Sequence, residues 1–179
     1  MVNLKKEKCL IAYFSREGNN IVNRSIVYLP IGNTEVVANM IQEMTEGDVF
    51  SIDTVNSYPE DYTETTEVAQ KELYDNARPE LSNHVENMDS YNVIFLGYPN
   101  WWGTMPMPVF TFLEEYNFSG KTIIPFCTHE GSGLGHSETD IVKICPQATI
   151  QDGLAVWGRD VKNAKNKVSE WLRQLKIIE

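Results

Sequence analysis

A chain of 179 residues, 42% hydrophobic and 22% charged, has the composition of one globular domain with a sizeable core. Its formal net charge of −10 repels nucleic-acid phosphates, which argues against a DNA or RNA partner; the same field would attract a basic protein, and a soluble surface alone also explains it. No apolar run approaches the roughly 20 residues that span a bilayer, and Cys9 to Phe14 is too short for a signal-peptide core of about 7–15 residues, so no membrane association and a cytoplasmic location are expected.

Hydrophobic periodicity alternates between short apolar runs and longer helical patterns. Lys8 to Phe14 reads as a buried strand, and Asn33 or Thr34 can cap a helix through Val36, Val37, Met40, Ile41 and Met44. Gly47 ends that helix, and Asp48 to Ile52 forms a second strand. Thr63 to Asn76 reads as a helix stopped before Pro79. The run Val93-Ile94-Phe95-Leu96 inside Asn92 to Gly97 is apolar on both faces, as a central parallel strand covered by helices must be. Val109 to Tyr116 reads as a helix, Thr122 to Cys127 as a strand, and Ser137 to Ile144 as a helix. Ala148 to Val156 is the last strand, bent or bulged at Gly153, and Val161 to Leu175 closes the chain as an amphipathic helix. Five strands alternating with five helices imply βαβ units, a parallel sheet and right-handed crossovers within a single domain over 1–179.

Cys9, Cys127 and Cys145 lie far apart with no CxxC pair, so neither a disulfide framework nor a zinc site is indicated. Cys9 and Cys127 fall in apolar strands and read as buried thiols.

In open α/β sheets ligands bind beyond the carboxyl ends of the strands, where the strand order reverses. With the order 2-1-3-4-5, the loops after strands one, three and four meet there. The first runs from Ser15-Arg16-Glu17-Gly18-Asn19-Asn20 to Gly32-Asn33-Thr34-Glu35 at a helix start. Its hydroxyls, amides and free helical N–H groups suit a phosphate, or simply cap the helix. A Gly-Lys-Ser/Thr sequence is missing, which excludes a triphosphate P-loop. The second loop, Tyr98 to Pro106, carries Trp101 and Trp102 between Pro99-Asn100 and Gly103. Either both rings offer a stacking surface for a flat ligand, or one packs under the loop while the other covers surface. The third, Thr128-His129-Glu130-Gly131-Ser132-Gly133, has a mobile glycine-rich backbone and an acidic side chain. Its histidines lack HExxH spacing and its serine lacks a GxSxG elbow, so a hydrolase on Ser132 is disfavoured. A phosphoacceptor receiver domain would need clustered aspartates where Ser15-Arg16 and Tyr98-Pro99 stand.

Taken together, Tyr13-Phe14-Ser15-Arg16, Gly32-Asn33-Thr34, Pro99-Asn100-Trp101-Trp102-Gly103 and Thr128-His129-Glu130-Gly131-Ser132-Gly133 resemble the flavodoxin-like FMN proteins, most closely a bacterial subgroup with that Trp-Trp loop. The resemblance covers nearly the whole chain and implies a three-layer α/β sandwich binding FMN. It implies that Ser15, Arg16, Asn33 and Thr34 form the phosphate site, largely through backbone N–H groups and hydroxyls. Pro99, Asn100, Trp101, Trp102 and Gly103 would line the ribityl chain and one side of the ring system, and Thr128, Glu130, Gly131, Ser132 and Gly133 the other edge. It further implies electron transfer to redox partner proteins or a small acceptor, by a monomer or a homodimer. An FMN-dependent NAD(P)H:quinone-type oxidoreductase and a flavin-free interaction module on the same fold are the alternatives. One departure stands out: Glu17 to Pro30 separates the two halves of the phosphate loop. The alternative register keeps Ser15 to Asn20 as the nest and takes later residues as the insert; the first is preferred because Thr34 directly precedes the helix. With Ile21, Val22, Ile26, Val27, Tyr28 and Leu29, this insert is apolar enough to fold as a flap beside the phosphate loop or flavin.

Overall fold

The computed structural model describes residues 4–179. Strand β1 (Cys9–Tyr13) is buried at every position. The chain then forms an antiparallel hairpin of β2 (Gly18–Val22) and β3 (Ser25–Leu29). After it come α1 (Asn33–Thr45), β4 (Asp48–Ser51), α2 (Tyr62–Tyr74), β5 (Val93–Pro99), α3 (Met107–Glu115), β6 (Thr122–His129), α4 (Ser137–Ile144), β7 (Thr149–Ile150), β8 (Leu154–Trp157) and α5 (Lys165–Gln174).

The main sheet is parallel, in the order β4-β1-β5-β6-β7, with β8 also on β6. Strand β7 pairs with Thr122 and Ile123, and β8 with Phe126 to His129, so the two are halves of one fifth strand. The break falls at Gly153, where a Cβ would lie 3.1 Å from the Pro125 carbonyl oxygen. With the hairpin left out of the count, this is the expected 2-1-3-4-5 order with helices on both faces.

Period-two alternation along the central strands feeds two cores. Leu10, Ala12, Ile94, Leu96, Tyr98 and Ile123 point to the face covered by α3 and α4. Ile11, Tyr13, Val93, Phe95, Ile124 and Phe126 point to the face covered by α1 and α5. Gly97 sits where the sheet has no room for a side chain: a Cβ there would lie 2.1 Å from the Phe126 ring.

The structure departs from the sequence expectation in two elements. The insert is a β-hairpin, closed by Asn23 and Arg24 with φ of 53° and 67°, a left-handed pair whose twist matches the flanking strands. The C-terminal helix is shorter than its apolar pattern, because Gly158–Asn163 winds as a 3-10 segment before α5 begins.

Between β4 and α2, Tyr58 joins the sheet edge to the loop after β5. Its ring packs edge-on against Phe14 at 5.7 Å and Trp101 at 5.1 Å, and Trp101 in turn meets Phe14 at 5.2 Å. The Tyr58 hydroxyl donates to Glu72 Oε2 at 2.6 Å from the flank of α2. Burial raises the Glu72 carboxyl above its ordinary range, and the Tyr58 hydrogen bond pulls it back.

Gly97→Ala should lower stability by about 1–3 kcal/mol, read from chemical denaturation, because the Phe126 ring is enclosed and cannot move aside. Tyr58→Phe should cost about 1–2 kcal/mol at neutral pH, since it strips a donor from a half-buried carboxylate. That cost is present where Glu72 is ionised and shrinks as pH falls through its titration, because the bond favours the charged form. Paired denaturation curves across acidic pH measure it, and a constant difference would assign the loss to packing instead.

Candidate functional site

The connection from β1 runs through α1 to β4 on one side, while the connection from β5 runs through α3 to β6 on the other. Between them the carboxyl edge of the sheet opens into a cleft of about 510 Å³. All the residues singled out from the sequence line it except Gly131 and Gly133.

At one end lies the start of α1. The expected cap, Asn33 or Thr34, is replaced by Gly32, which supplies no side chain. Ser15 performs that role from across the loop, its Oγ accepting the Glu35 N–H at 3.1 Å. A Cβ on Gly32 would lie 2.2 Å from that Oγ and 2.7 Å from the Arg16 carbonyl oxygen, so only glycine lets the two halves of the loop close. The backbone N–H groups of Asn33 and Thr34 have no protein acceptor among the described residues, leaving two donors at the positive end of the helix. The Thr34 hydroxyl is 2.8 Å from that of Thr128, which ties this end to the loop after β6.

Arg16 lines the cleft but spends its guanidinium elsewhere. Its Nη2 donates to the carbonyls of Pro59 and Glu60 at 2.8 and 2.6 Å, and its Nη1 to that of Asn19. It therefore clamps the base of the hairpin to the segment before α2, with its buried Nε left unpaired. Burial lowers its pKa, opposed by Asp61 and Glu60.

The two tryptophans divide. Trp101 turns inward onto Phe14 and Tyr58, while Trp102 is half exposed and donates its indole N–H to the Thr66 carbonyl of α2 at 3.0 Å. This split follows from a tight turn: Trp101 and Thr104 bridge, and Trp102 and Gly103 take φ of 56° and 89°. Asn100 braces the turn, accepting the Gly103 N–H at 3.0 Å and donating its amide to the Gly133 carbonyl at 2.9 Å.

Gly133, whose carbonyl accepts that last bond, does not itself line the cleft. Gly131 is drawn off against the Trp157 ring, 3.3 Å from where its Cβ would stand. Glu130 and Ser132, between and beside them, face the cleft. Burial raises the Glu130 carboxyl, while the Asn23 N–H donates to its Oε2 at 3.1 Å from the hairpin tip. His129 accepts the Gly131 N–H at Nδ1 and packs on Trp157, and burial lowers its pKa.

Sequence reading missed a whole wall. Tyr62, Thr65, Thr66 and Ala69 of α2 line the cleft, as do Asn20 and Ile21 of the hairpin, His129 and Gly158. Nothing local marks the α2 residues, since they reach the site only through tertiary packing. His129 lay within a loop already singled out. Gly158 is close-packed, a Cβ falling 2.3 Å from Glu130 Oε1.

No group of three or more His, Cys, Asp and Glu residues among the described residues is placed to hold a metal ion, and no helix among them is long and apolar enough to cross a membrane.

Comparison with known proteins places the fold. No curated protein matches the sequence. A candidate flavoprotein from Bacteroides eggerthii is 27% identical, with a TM-score of 0.78 over 97% of this chain and 100% of that one. A second, from Bacteroides uniformis, is 24% identical with a TM-score of 0.72, covering 93% and 98%. A flavoprotein from Lactobacillus acidophilus, solved in complex with FMN, has a TM-score of 0.67 at 20% identity over 91% and 99%. The flavodoxin family model matches residues 8–175, and the chain belongs to the flavodoxin family.

Proposed function

We propose that the cleft binds FMN non-covalently and that the protein transfers electrons through it. The observation that carries this reading is the pairing, in one cleft, of two unpartnered N–H groups at the start of α1 with the aromatic turn Trp101-Trp102. The donor set fits the cofactor. The α1 terminus, Ser15 and Thr34 offer neutral and dipolar donors to a phosphate at one end, and the tryptophan turn offers flat apolar surface at the other. A volume of about 510 Å³ lies within the range of cofactor sites.

Bound there, the flavin supplies the redox chemistry, and the protein supplies position and field. Asn100 fixes the turn that carries the tryptophans, and Thr66 anchors Trp102 from α2. Glu130 sets an exposed acidic group at the rim, which opposes added negative charge nearby. The Cys127 thiol is held far up by burial, and His129 is occupied by the Gly131 N–H and Trp157. The alternative, an FMN-dependent NAD(P)H:quinone-type oxidoreductase, differs in a direct measurement: the FMN-loaded protein alone would oxidise NAD(P)H steadily, whereas a carrier would not.

Titration of flavin fluorescence should show FMN quenched on binding, and riboflavin, which lacks the phosphate, bound at least about tenfold more weakly. Equal binding of the two would remove the phosphate site, and no binding of either would remove the function. Deleting Glu17 to Pro30 joins Arg16 to Ile31, whose neighbour Gly32 already packs on Arg16, since a Gly32 Cβ would sit 2.7 Å from the Arg16 oxygen. The shortened chain should fold yet bind FMN at least about tenfold more weakly, having lost the Asn20 and Ile21 wall and the Asn23 bond to Glu130. Unchanged affinity would show the hairpin to be dispensable for the cofactor.

A further inference from the structure

The hairpin presents a second feature that cofactor binding does not use. Among the described residues strand β3 pairs only with β2, and both of its faces are open: Ile26 and Tyr28 are each 60% exposed and Val27 is 39% exposed, although they point to alternate sides. Its sequence, Ser25-Ile26-Val27-Tyr28-Leu29, holds no charge, proline or glycine. Natural proteins guard free strand edges with those residues, because an unguarded one recruits another strand. The pairing register says which backbone groups are available. In a two-residue hairpin Val22 and Ser25 exchange hydrogen bonds, so Asn20 with Val27 and Gly18 with Leu29 do the same. The N–H and C=O groups of Ile26 and Tyr28 therefore point outward, away from β2.

We propose that this edge is the interface of a homodimer, in which a second copy lays its β3 antiparallel on the first about a two-fold axis through Val27. In that register Ile26 of one copy lies opposite Tyr28 of the other, twice, so the outward groups on both strands satisfy one another in four hydrogen bonds. Val27 meets Val27 at the closest non-bonded position. The charges at the ends agree. Arg24 at the tip of one hairpin comes to the base of the other, where Glu17, exposed, flanks Gly18. No charged residue falls in the paired segment itself. The result is a four-stranded antiparallel sheet, in which the row Ile21-Ile26 runs on into Tyr28 of the second copy. Because Ile21 lines the cleft, that tyrosine extends the cleft wall beyond the hairpin. Two bodies that each carry −10 repel, so the contact is a backbone and apolar one that strengthens as salt screens the charge.

Sedimentation velocity on the full chain tests this at tens of micromolar protein, in about 0.05 M and 0.5 M salt. The wild type should sediment as a dimer, more completely at high salt. V27K and V27E place two like charges at the closest point and should each weaken the dimer at least about tenfold. An equimolar mixture of the two should restore it, because position 27 faces itself. Tyr28→Pro removes an outward N–H while leaving the bonds to β2 intact, and should weaken the dimer without altering far-ultraviolet circular dichroism. A monomeric wild type, a dimer that survives in both charged variants, or a mixture that stays monomeric would overturn the proposal. Should the charged variants misfold, a Tyr28→Pro dimer as tight as the wild type would overturn it too.

Discussion

The reversal of strand order between β1 and β5 is the constraint from which the rest of the site follows. Right-handed crossovers send the chain from β1 to one side of the sheet and from β5 to the other. The loops that leave these strands diverge, and nothing in a parallel sheet can fill the gap at its carboxyl edge. The loops must then be held open yet in place. The structure does this with few bonds: Thr34 to Thr128 across the cleft floor, Asn100 to the Gly133 carbonyl, and Gly103 to the His136 N–H, 2.9 Å apart. These join the three loops to one another and not only to their own strands. A Gly135 Cβ would stand 2.1 Å from the Gly103 oxygen, which shows how closely the second and third loops are stacked.

How far the sequence discloses this depends on whether a signal is local. The buried strands announced themselves because a run such as Val93-Ile94-Phe95-Leu96 has no polar face to give, and each was covered on both sides as expected. The three loops were legible because glycine, proline and paired aromatics cluster at strand ends. The hairpin was not. Its turn is Asn23-Arg24, where a type I′ turn is usually signalled by Asn-Gly, and β3 stays largely in solvent while β2 is half-buried along most of its length, so burial leaves no alternating mark on their pattern. The helix cap was misplaced for a related reason: Ser15, distant in sequence, caps α1, and Gly32 is there to admit it. The α2 wall carries no local sign at all. Thr65 and Thr66 look like ordinary helix positions until Arg16 draws the segment before α2 against the loop after β1.

Arg16 shows how a side chain at a site can serve its frame. Its guanidinium lies beside a helix start, and carbonyl oxygens from Asn19, Pro59 and Glu60 surround it. Its Nη donors are engaged in holding the hairpin and the segment before α2 together. What remains for an anion is dipolar: two backbone N–H groups and hydroxyls. Dipolar donors carry no net charge, so a phosphate held by them keeps its own, and the field of a −10 protein stays negative around it.

The same economy explains the hairpin's attachment. Its base is tied through Arg16 and through the Asn20 amide, which donates to the Arg16 and Gly18 carbonyls at 3.0 and 3.2 Å. Its tip is tied by one bond, from the Asn23 N–H to Glu130. A two-stranded ribbon by itself is marginally stable in water. This one is fixed at both ends by groups that also border the cleft, so whatever strengthens the ribbon also steadies Glu130 and the Asn20–Ile21 wall. A second strand pair added along β3 would do so without touching the cleft floor. Assembly along the β3 edge proposed above and order in the cleft would then be coupled through the same few bonds, and the coupling would run equally in both directions.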